Sequence, residues 1–131
     1  MTVNTEKSRE AWTLVARSDD VAEGGRQVIE LGNDVQIGLF RFKGKLYAYE
    51  NLCPHQGGPA CQGRMVDGVR ERIEEGGRSA GLAFDKDDPH IVCPWHGFEY
   101  RLTTGEHAGV PSIRLRGFGV REEGGDIHVA L

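Results

Sequence analysis

Two short segments of the chain combine thiol and imidazole side chains at a spacing that suits shared binding of a metal centre. Cys53 and His55 flank one proline, and Cys93 and His96 flank a Pro-Trp pair. In an extended segment, residues i and i+2 point to the same side, so Cys53 and His55 can face a common centre. The proline and glycine around the second pair can bend that segment so that its own thiol and imidazole do likewise. The sequence therefore predicts one site formed by two loops.

Both zinc and iron–sulfur centres accept two thiolates and two imidazoles as ligands. Zinc binds such donors tetrahedrally. Common zinc modules, however, pair cysteine with cysteine and histidine with histidine on each arm, whereas each arm here is mixed. A dinuclear iron–sulfur cluster fits this pattern better, because each loop can give its sulfur to one iron and its nitrogen to the other. A single zinc ion stays open as the alternative.

The segments around these two loops have the apolar alternation of strands. Short turn sequences separate the alternating runs, which is typical of antiparallel hairpins. In one stretch, Val69–Glu75, Val69 and Ile73 are four residues apart, and this spacing indicates a short helix. The chain is therefore expected to be mostly β. The predicted strands are 27–31, 35–42, 45–50, 112–116, 119–122 and 126–131.

Length and composition favour a single globular domain over residues 1–131. That length leaves no room for a separate cofactor domain. The 16 basic and 20 acidic residues give a net charge of −4, so the chain lacks the basic character of proteins that bind nucleic acid or anionic membranes. Residues 1–10 lack the apolar core of a secretory signal. We therefore expect a soluble, cytoplasmic protein with neither kind of partner.

A charged segment, residues 64–90, separates the two expected ligand loops, which span about residues 51–60 and 91–100. The segment contains five basic and seven acidic residues, a net charge of −2. Its composition indicates a solvated surface loop. A partner-binding element is the alternative, because long loops in compact domains are often functional.

The sequence resembles the Rieske iron–sulfur family over nearly its whole length. Residues 46–59 are similar to the family's strand and first ligand loop, and residues 93–106 are similar to the second loop and the strand behind it. The resemblance implies an all-β fold of three antiparallel sheets with the two cluster-binding loops at one tip.

The same resemblance implies one Rieske [2Fe-2S] cluster per chain and assigns its ligands. Cys53 and Cys93 would bind one iron, while His55 and His96 would bind the other. Residues 64–90 are longer than the corresponding part of most relatives. Because of this extra length, the resemblance does not identify the partner. The assignment of the cluster ligands is not affected.

The resemblance further implies a Rieske-type ferredoxin that carries one electron from a flavin-dependent reductase to a terminal oxygenase. No catalytic residue is assigned, because the chain contains neither a second metal motif nor a G-x-G-x-x-G sequence after a strand. A Rieske small subunit of a larger oxidoreductase, of the nitrite reductase type, is the alternative, followed by a zinc-stapled structural module. Contact with partners is expected at Gln56, Gly57, Trp95 and Phe98.

Three positions bear on the reduction potential. Gly58 and Trp95 stand where the respiratory branch of the family has disulfide-forming cysteines, so that disulfide is not expected. Phe98 stands where the high-potential branch has a serine, and phenylalanine cannot donate a hydrogen bond. Tyr100 retains a hydroxyl that can point at a ligand thiolate. We therefore expect a potential in the lower half of the Rieske range, which is about −150 to +300 mV.

The remaining cysteine and histidines lie outside the paired motifs. Cys61 is expected to be a small buried side chain rather than a ligand or redox sensor. His90, His107 and His128 are expected to be ordinary surface or loop residues.

Overall fold

The structure, a computed structural model, describes residues 12–32, 34–54, 57–73, 75–95 and 97–131. This part of the chain is nearly all β, and its only helical elements are two 3-10 turns, Ser18–Asp20 and Ala60–Gln62. The strands are β1 (Trp12–Arg17), β2 (Arg26–Gly32), β3 (Val35–Phe42), β4 (Lys45–Glu50), β5 (Arg64–Ile73), β6 (Ser79–Val92), β7 (Glu99–Arg101), β8 (Gly117–Glu123) and β9 (Asp126–Ala130).

The strands form three antiparallel sheets of three strands each. β1, β9 and β8 form the first sheet, and β4, β3 and β2 form the second. Pairing of β4 with β8 joins these two into one six-stranded sheet. The third sheet has the order β5-β6-β7 and carries both ligand loops, one before β5 and one between β6 and β7. The expected all-β fold of three sheets is confirmed.

Tight turns connect the strands that the sequence predicted as hairpins. Lys43 and Gly44, between β3 and β4, have φ angles of 52° and 78°, and Gly124 and Gly125, between β8 and β9, have φ angles of 58° and 86°. Positive φ at both central residues gives the turn a twist that matches the flanking strands. These turns set the register of the large sheet.

Strand β3 lies between two hydrophobic clusters. Ile37 and Leu39 face the cluster that also contains residues of β9, while Phe40 faces the cluster that contains all three cysteines. On this second face Gly38 is required, because a Cβ there would lie 2.5 Å from the Cβ of Cys61. The alternation of β3 therefore serves both cores, and the cysteine-containing core forms the base of the ligand loops.

The expectations for residues 69–75 and 64–90 were wrong. In the described parts of this segment, 64–73 and 75–90, there is neither a helix nor one open loop: β5 pairs with β6 as a long hairpin, with Val69 opposite Phe84. A spacing of four residues between two apolar positions is compatible with a strand as well as with a helix. The pairing with β6 decides between the two. The segment 112–116 is not a strand either; it contributes one isolated bridge, between Arg114 and Glu106.

An ion pair connects the first two sheets. The guanidinium of Arg41 in β3 lies 2.9 Å and 3.2 Å from the two carboxylate oxygens of Glu122 in β8, and its Nε donates to the Val21 carbonyl at 2.7 Å. Arg41 lowers the pKa of the Glu122 carboxyl, mainly through the hydrogen bond, and a hydrogen bond from Ser18 adds to the effect. This contact is a pH-dependent link between sheets.

We expect Glu122→Gln to lower the free energy of unfolding at neutral pH by less than about 1 kcal/mol, because the pair is partly exposed. A carboxyl whose pKa is lowered by folding stabilises the protein above its ordinary pKa of 4.5 and loses that effect as the pH falls through the folded value. The difference between wild type and variant should therefore shrink below pH 4.5. Urea unfolding across pH checks this, with Glu123→Gln as the control for a general loss of charge. A constant difference would contradict it.

Candidate metal centre

The first ligand loop folds back on Cys53. The Cys53 amide donates to the Gly58 carbonyl at 2.7 Å, and the Gly57 amide donates to the Cys53 carbonyl at 2.8 Å. Gly57 has a φ of 79°, which glycine adopts without strain. The Cys53 side chain is 2% exposed. The loop therefore presents its thiol to the interior.

Asn51 closes this loop at its base. The Asn51 side-chain oxygen accepts a hydrogen bond from the Cys61 amide at 2.8 Å, and its nitrogen donates to Gln36 at 3.0 Å and to Gln62 at 3.2 Å. The residue two positions before Cys53 is thereby tied to the 3-10 turn that follows the loop. Sequence reasoning missed Asn51; the available signal was a polar residue placed directly after strand β4 and before the ligand loop.

Arg26 holds the same 3-10 turn from strand β2. Its guanidinium donates to the carbonyls of Cys61 and Gly63, the first at 2.9 Å. Gly63 itself packs so closely on the next sheet that a Cβ there would lie 1.7 Å from the Val92 carbonyl oxygen. These contacts fix the end of the first loop against the strand that leads into the second. Neither Arg26 nor Gly63 was singled out from the sequence.

The second ligand loop connects β6 to β7. The Cys93 amide donates to the Phe98 carbonyl at 2.7 Å, so the loop closes as the first one does. The Cys93 side chain is fully buried, and the backbone of Trp95 acts to lower the pKa of its thiol. The structure therefore places the second thiol in the interior at the base of its loop.

The two thiols lie together. Cys53 and Cys93 are buried in the same core cluster, and their side chains are close enough to influence each other's ionisation. Gly58 leaves the space that they need, because a Cβ there would lie 3.0 Å from the Cys93 sulfur and 2.8 Å from the Trp95 ring. Burial raises the pKa of the Cys93 thiol, and the neighbouring Cys53 adds to the shift. Binding to a metal would remove this cost, because a ligating cysteine is deprotonated by the ion.

Tyr100 completes the described part of the site. Its hydroxyl lies 3.0 Å from the Cys53 sulfur, and its side chain is fully buried. Burial, and then the contact with Cys53, raises the pKa of Tyr100, so the hydroxyl keeps its proton. Because a metal-bound cysteine has no proton, the hydroxyl is the donor in that state. The structure places the Tyr100 hydroxyl beside the Cys53 sulfur, as expected, and the role of that sulfur as a cluster ligand stays a prediction.

The described residues fit half of a [2Fe-2S] site. Two neighbouring buried thiols, one of them with the Tyr100 hydroxyl beside its sulfur, suit a single iron ion. His55 and His96 lie outside the described residues, as does Gln56. The assignment of Cys53, Cys93, His55 and His96 as ligands stays a prediction. Within the described ranges, no group of three Cys, His, Asp or Glu side chains is arranged to hold a metal ion.

The surface around the two loops is partly apolar. Trp95 is 49% exposed, Gly57 is exposed, and Phe98 is half-buried with its ring against His107. Leu52, which is 47% exposed, belongs to the same surface and was missed from the sequence. The loops therefore present apolar side chains beside the buried thiols.

Cys61 is the small buried residue that the sequence predicted. Its side chain is fully buried, and its sulfur lies 3.6 Å from the carbonyl oxygens of Tyr49 and Glu50. Burial raises the pKa of the Cys61 thiol to about 12. The thiol is therefore protonated and contributes to packing.

The expectation that His90 is an ordinary surface or loop residue was wrong. His90 is 4% exposed and lies in strand β6, where its two ring nitrogens contact the carboxylates of Glu99 and Asp88. Asp88 in turn accepts a hydrogen bond from Arg101 at 3.0 Å. The prediction for His90 was wrong because residues 64–90 were expected to form a loop, whereas His90 lies in a paired strand. His107 and His128 are half-buried, in a loop and in β9.

Comparison with known proteins places this arrangement in a family. Residues 11–118 match the model of the Rieske [2Fe-2S] domain. A human Rieske domain-containing protein is 32% identical over 77% of this chain, and the match spans about half (53%) of the human protein. The ferredoxin component of a naphthalene 1,2-dioxygenase/salicylate 5-hydroxylase system of Ralstonia sp. is 31% identical, over 76% of this chain and 75% of the relative.

Solved structures support the same fold. A chain in a complex of reduced oxygenase and oxidised ferredoxin from carbazole 1,9a-dioxygenase has a TM-score of 0.64 at 23% identity, covering 92% of this chain and 93% of that one. A nitrite reductase small subunit from Mycobacterium tuberculosis has a TM-score of 0.64 at 21% identity, covering 92% and 94%. No helix in the described part of this chain is long and apolar enough to cross a membrane. With the two-loop arrangement of buried thiols, these matches lead to one conclusion: the chain is a member of the Rieske [2Fe-2S] domain family.

Proposed function

We propose that this Rieske protein is the ferredoxin of an oxygenase system, taking one electron from a flavin-dependent reductase and passing it to a terminal oxygenase. The observation that carries the proposal is the pair of adjacent buried thiols, Cys53 and Cys93, at the base of two loops. In this proposal the two cysteines bind one iron of the cluster, and His55 and His96 bind the other. Ferredoxin components of bacterial oxygenase systems are among the relatives of the chain.

The cluster supplies a one-electron carrier, and the protein sets how readily the electron is accepted. Two thiolates bring less negative charge than four would, which favours reduction. The Tyr100 hydroxyl donates to the Cys53 sulfur, and the Trp95 backbone favours the charged form of Cys93, so both sulfurs are stabilised when they become more electron-rich. The surrounding core keeps water from the thiol side of the site.

We assign partner docking to the apolar surface around the loops. Leu52, Gly57 and Trp95 are exposed there, within a few residues of the proposed ligands. A brief encounter between redox partners needs a small interface with apolar contact near the cluster. The exposed side chains fit that need, because they place a partner close to the cluster without any lasting attachment.

Three cysteines without a disulfide, two of them proposed ligands, suit a reducing cytoplasm.

Tyr100→Phe should lower the reduction potential. The variant loses the hydrogen bond to the Cys53 sulfur, which is stronger in the reduced state because the sulfur then carries more negative charge. A difference of about 1 kcal/mol between the two redox states corresponds to roughly 40 mV for a one-electron couple. A spectroscopic redox titration of the holoprotein measures this shift.

Tyr49→Phe is the matched control for this measurement. Tyr49 is also a buried tyrosine, but its hydroxyl donates to the Leu102 carbonyl and not to sulfur. The control should lose stability and keep the wild-type potential. Equal potentials for wild type and Tyr100→Phe would contradict the role of the hydroxyl.

Electron transfer with defined partners tests the proposed function. The probe is a naphthalene dioxygenase system from which its own ferredoxin has been omitted, supplied with its reductase, NADH and substrate. Addition of this protein should restore oxygen-dependent product formation, and Trp95→Ala should reduce the rate without loss of cluster. The oxygenase assignment would be overturned if the reductase reduced the cluster of this protein but the electron passed neither to this oxygenase nor to any other Rieske oxygenase tried.

A small subunit of a nitrite reductase is the second candidate, and the fold match to such a subunit favours it. The two candidates differ in how the protein is isolated from its native source. A ferredoxin purifies apart from any large subunit, whereas a permanent subunit is recovered with its flavoprotein partner. Co-purification in a stable complex that reduces nitrite would replace the first proposal by the second.

A further inference from the structure

The hairpin of β5 and β6 carries an exposed apolar patch that the cluster site does not use. β7 pairs only with His90–Val92 of β6, so in the described part of the chain the rest of the hairpin is a two-stranded ribbon. On it, Val69 is 56% exposed, Leu82 is 72% exposed and Phe84 is 73% exposed. Large apolar side chains grouped in this way mark a contact surface more often than chance exposure does.

These three side chains share one face of the ribbon. Val69 lies directly opposite Phe84 in the β5–β6 pairing, and Leu82 is two residues from Phe84 on the same strand, so all three point the same way. Between them and Ala83 lies a shallow depression of about 150 Å³. One surface therefore offers both protruding apolar side chains and a recess that can receive one.

The ribbon extends away from the proposed electron-transfer surface. Arg64 pairs with Val92, the residue before Cys93, so this end of the hairpin adjoins the ligand loops. Val69 is five residues farther along β5, which corresponds to about 17 Å. The patch is thus separated along the strand from the loops, and a partner on the loops can leave it uncovered.

The charge around the patch favours a second copy of this chain as the molecule that covers it. The whole chain has a net charge of −4, but residues 69–84 contain three basic and three acidic residues, a net charge of zero. Two copies that met through their acidic bodies would repel each other, whereas this neutral segment with mixed charges can face itself. A twofold contact also requires a patch that is complementary to itself. Protruding apolar side chains beside a depression meet this requirement, because the side chains of one copy can enter the depression of the other.

We propose that the patch formed by Val69, Leu82 and Phe84 is the contact between two copies of this chain in a twofold dimer that leaves both cluster loops free. One face of a two-stranded ribbon of this length offers a few hundred Å², on the order of 300 Å² per copy from the strand spacing and rise. Stable interfaces bury about 800 Å² per partner. The dimer is therefore weak and forms reversibly with concentration.

Sedimentation velocity of the holoprotein between about 10 µM and about 1 mM tests this. The weight-average mass of wild type should rise with concentration toward twice that of one chain. The double variant Leu82→Thr/Phe84→Thr keeps strand-forming residues and should stay at the mass of one chain. Leu14→Thr, which replaces an exposed leucine of β1 in the large sheet, is the matched control and should dimerise as wild type does.

The visible spectrum of the cluster reports that each variant is folded. Wild type that keeps the mass of one chain over the whole range would overturn the proposal, and so would a double variant that still dimerises. Loss of electron transfer to the oxygenase in the double variant, with wild type monomeric, would assign the patch to the redox partner and equally overturn it. The dimer does not depend on the oxygenase assignment, because the mass is measured on the protein alone.

Discussion

Protein in which alanine replaces Cys53 should be colourless, and Cys93→Ala should give the same result. Each substitution removes one of the two adjacent thiols proposed to hold a single iron. With only one of the two proposed sulfur ligands left, the cluster would be lost, because neither water nor the neutral Tyr100 hydroxyl can replace a thiolate ligand. Iron content, acid-labile sulfide and the paramagnetic signal of the reduced protein should all fall to near zero.

Cys61→Ala is the matched control, since it also removes a buried thiol from the same core. The hydrogen-bond partners of the Cys61 sulfur are two backbone carbonyls of β4, those of Tyr49 and Glu50, and not the other two thiols. Alanine keeps the Cβ that packs on Gly38. The variant should therefore retain full iron and sulfide content with a modest loss of stability, on the order of 1 kcal/mol. A colourless Cys61→Ala beside a coloured Cys53→Ala would show that the ligands are misassigned.

The proposed sulfur ligands could be predicted from the sequence because their signal is local. A cysteine and a histidine within three residues, repeated once, need no knowledge of the fold to suggest a shared centre. The hairpins of the large sheet were equally accessible, since Lys43-Gly44 and Gly124-Gly125 combine turn residues with alternating flanks.

The β5–β6 hairpin could not be read in this way. A spacing of four residues between Val69 and Ile73 satisfies both a helix and a strand, and only pairing with β6 distinguishes them. The buried state of His90 follows from the same pairing, because it depends on strand β7 bringing Glu99 beside it. Long-range pairing is not encoded in any short window of the chain.

The residues that hold the ligand loops in place could not be predicted from the sequence for a related reason. Asn51 acts through Cys61 and Gln36, which are distant from it in sequence and meet it only in the folded chain. Gly63 is likewise unremarkable as a residue type, in a chain with 19 glycines. Its importance comes from the Val92 carbonyl that packs against it.

Gly63→Ala should destabilise the protein strongly and disrupt the cluster site. The added Cβ would lie 1.7 Å from the Val92 carbonyl oxygen and 2.6 Å from its carbon, both backbone atoms. Backbone cannot swing aside as a flexible side chain can, so β5 and β6 must separate where Arg64 pairs with Val92. We expect a loss of at least about 3 kcal/mol in the free energy of unfolding. Cluster content should fall with it, because Cys93 directly follows the displaced residue.

Gly119→Ala distinguishes this steric effect from the general effect of replacing a strand glycine. A Cβ at Gly119, in β8, would meet the Trp12 ring at 3.5 Å and Ala130 at 3.6 Å, which is ordinary contact. That variant should unfold within about 1 kcal/mol of wild type and keep its cluster. Urea unfolding and iron content of the two variants give the comparison. If Gly63→Ala were as stable and as fully loaded as Gly119→Ala, the close approach of the first loop's end to β6 would not be what holds Cys93 in place.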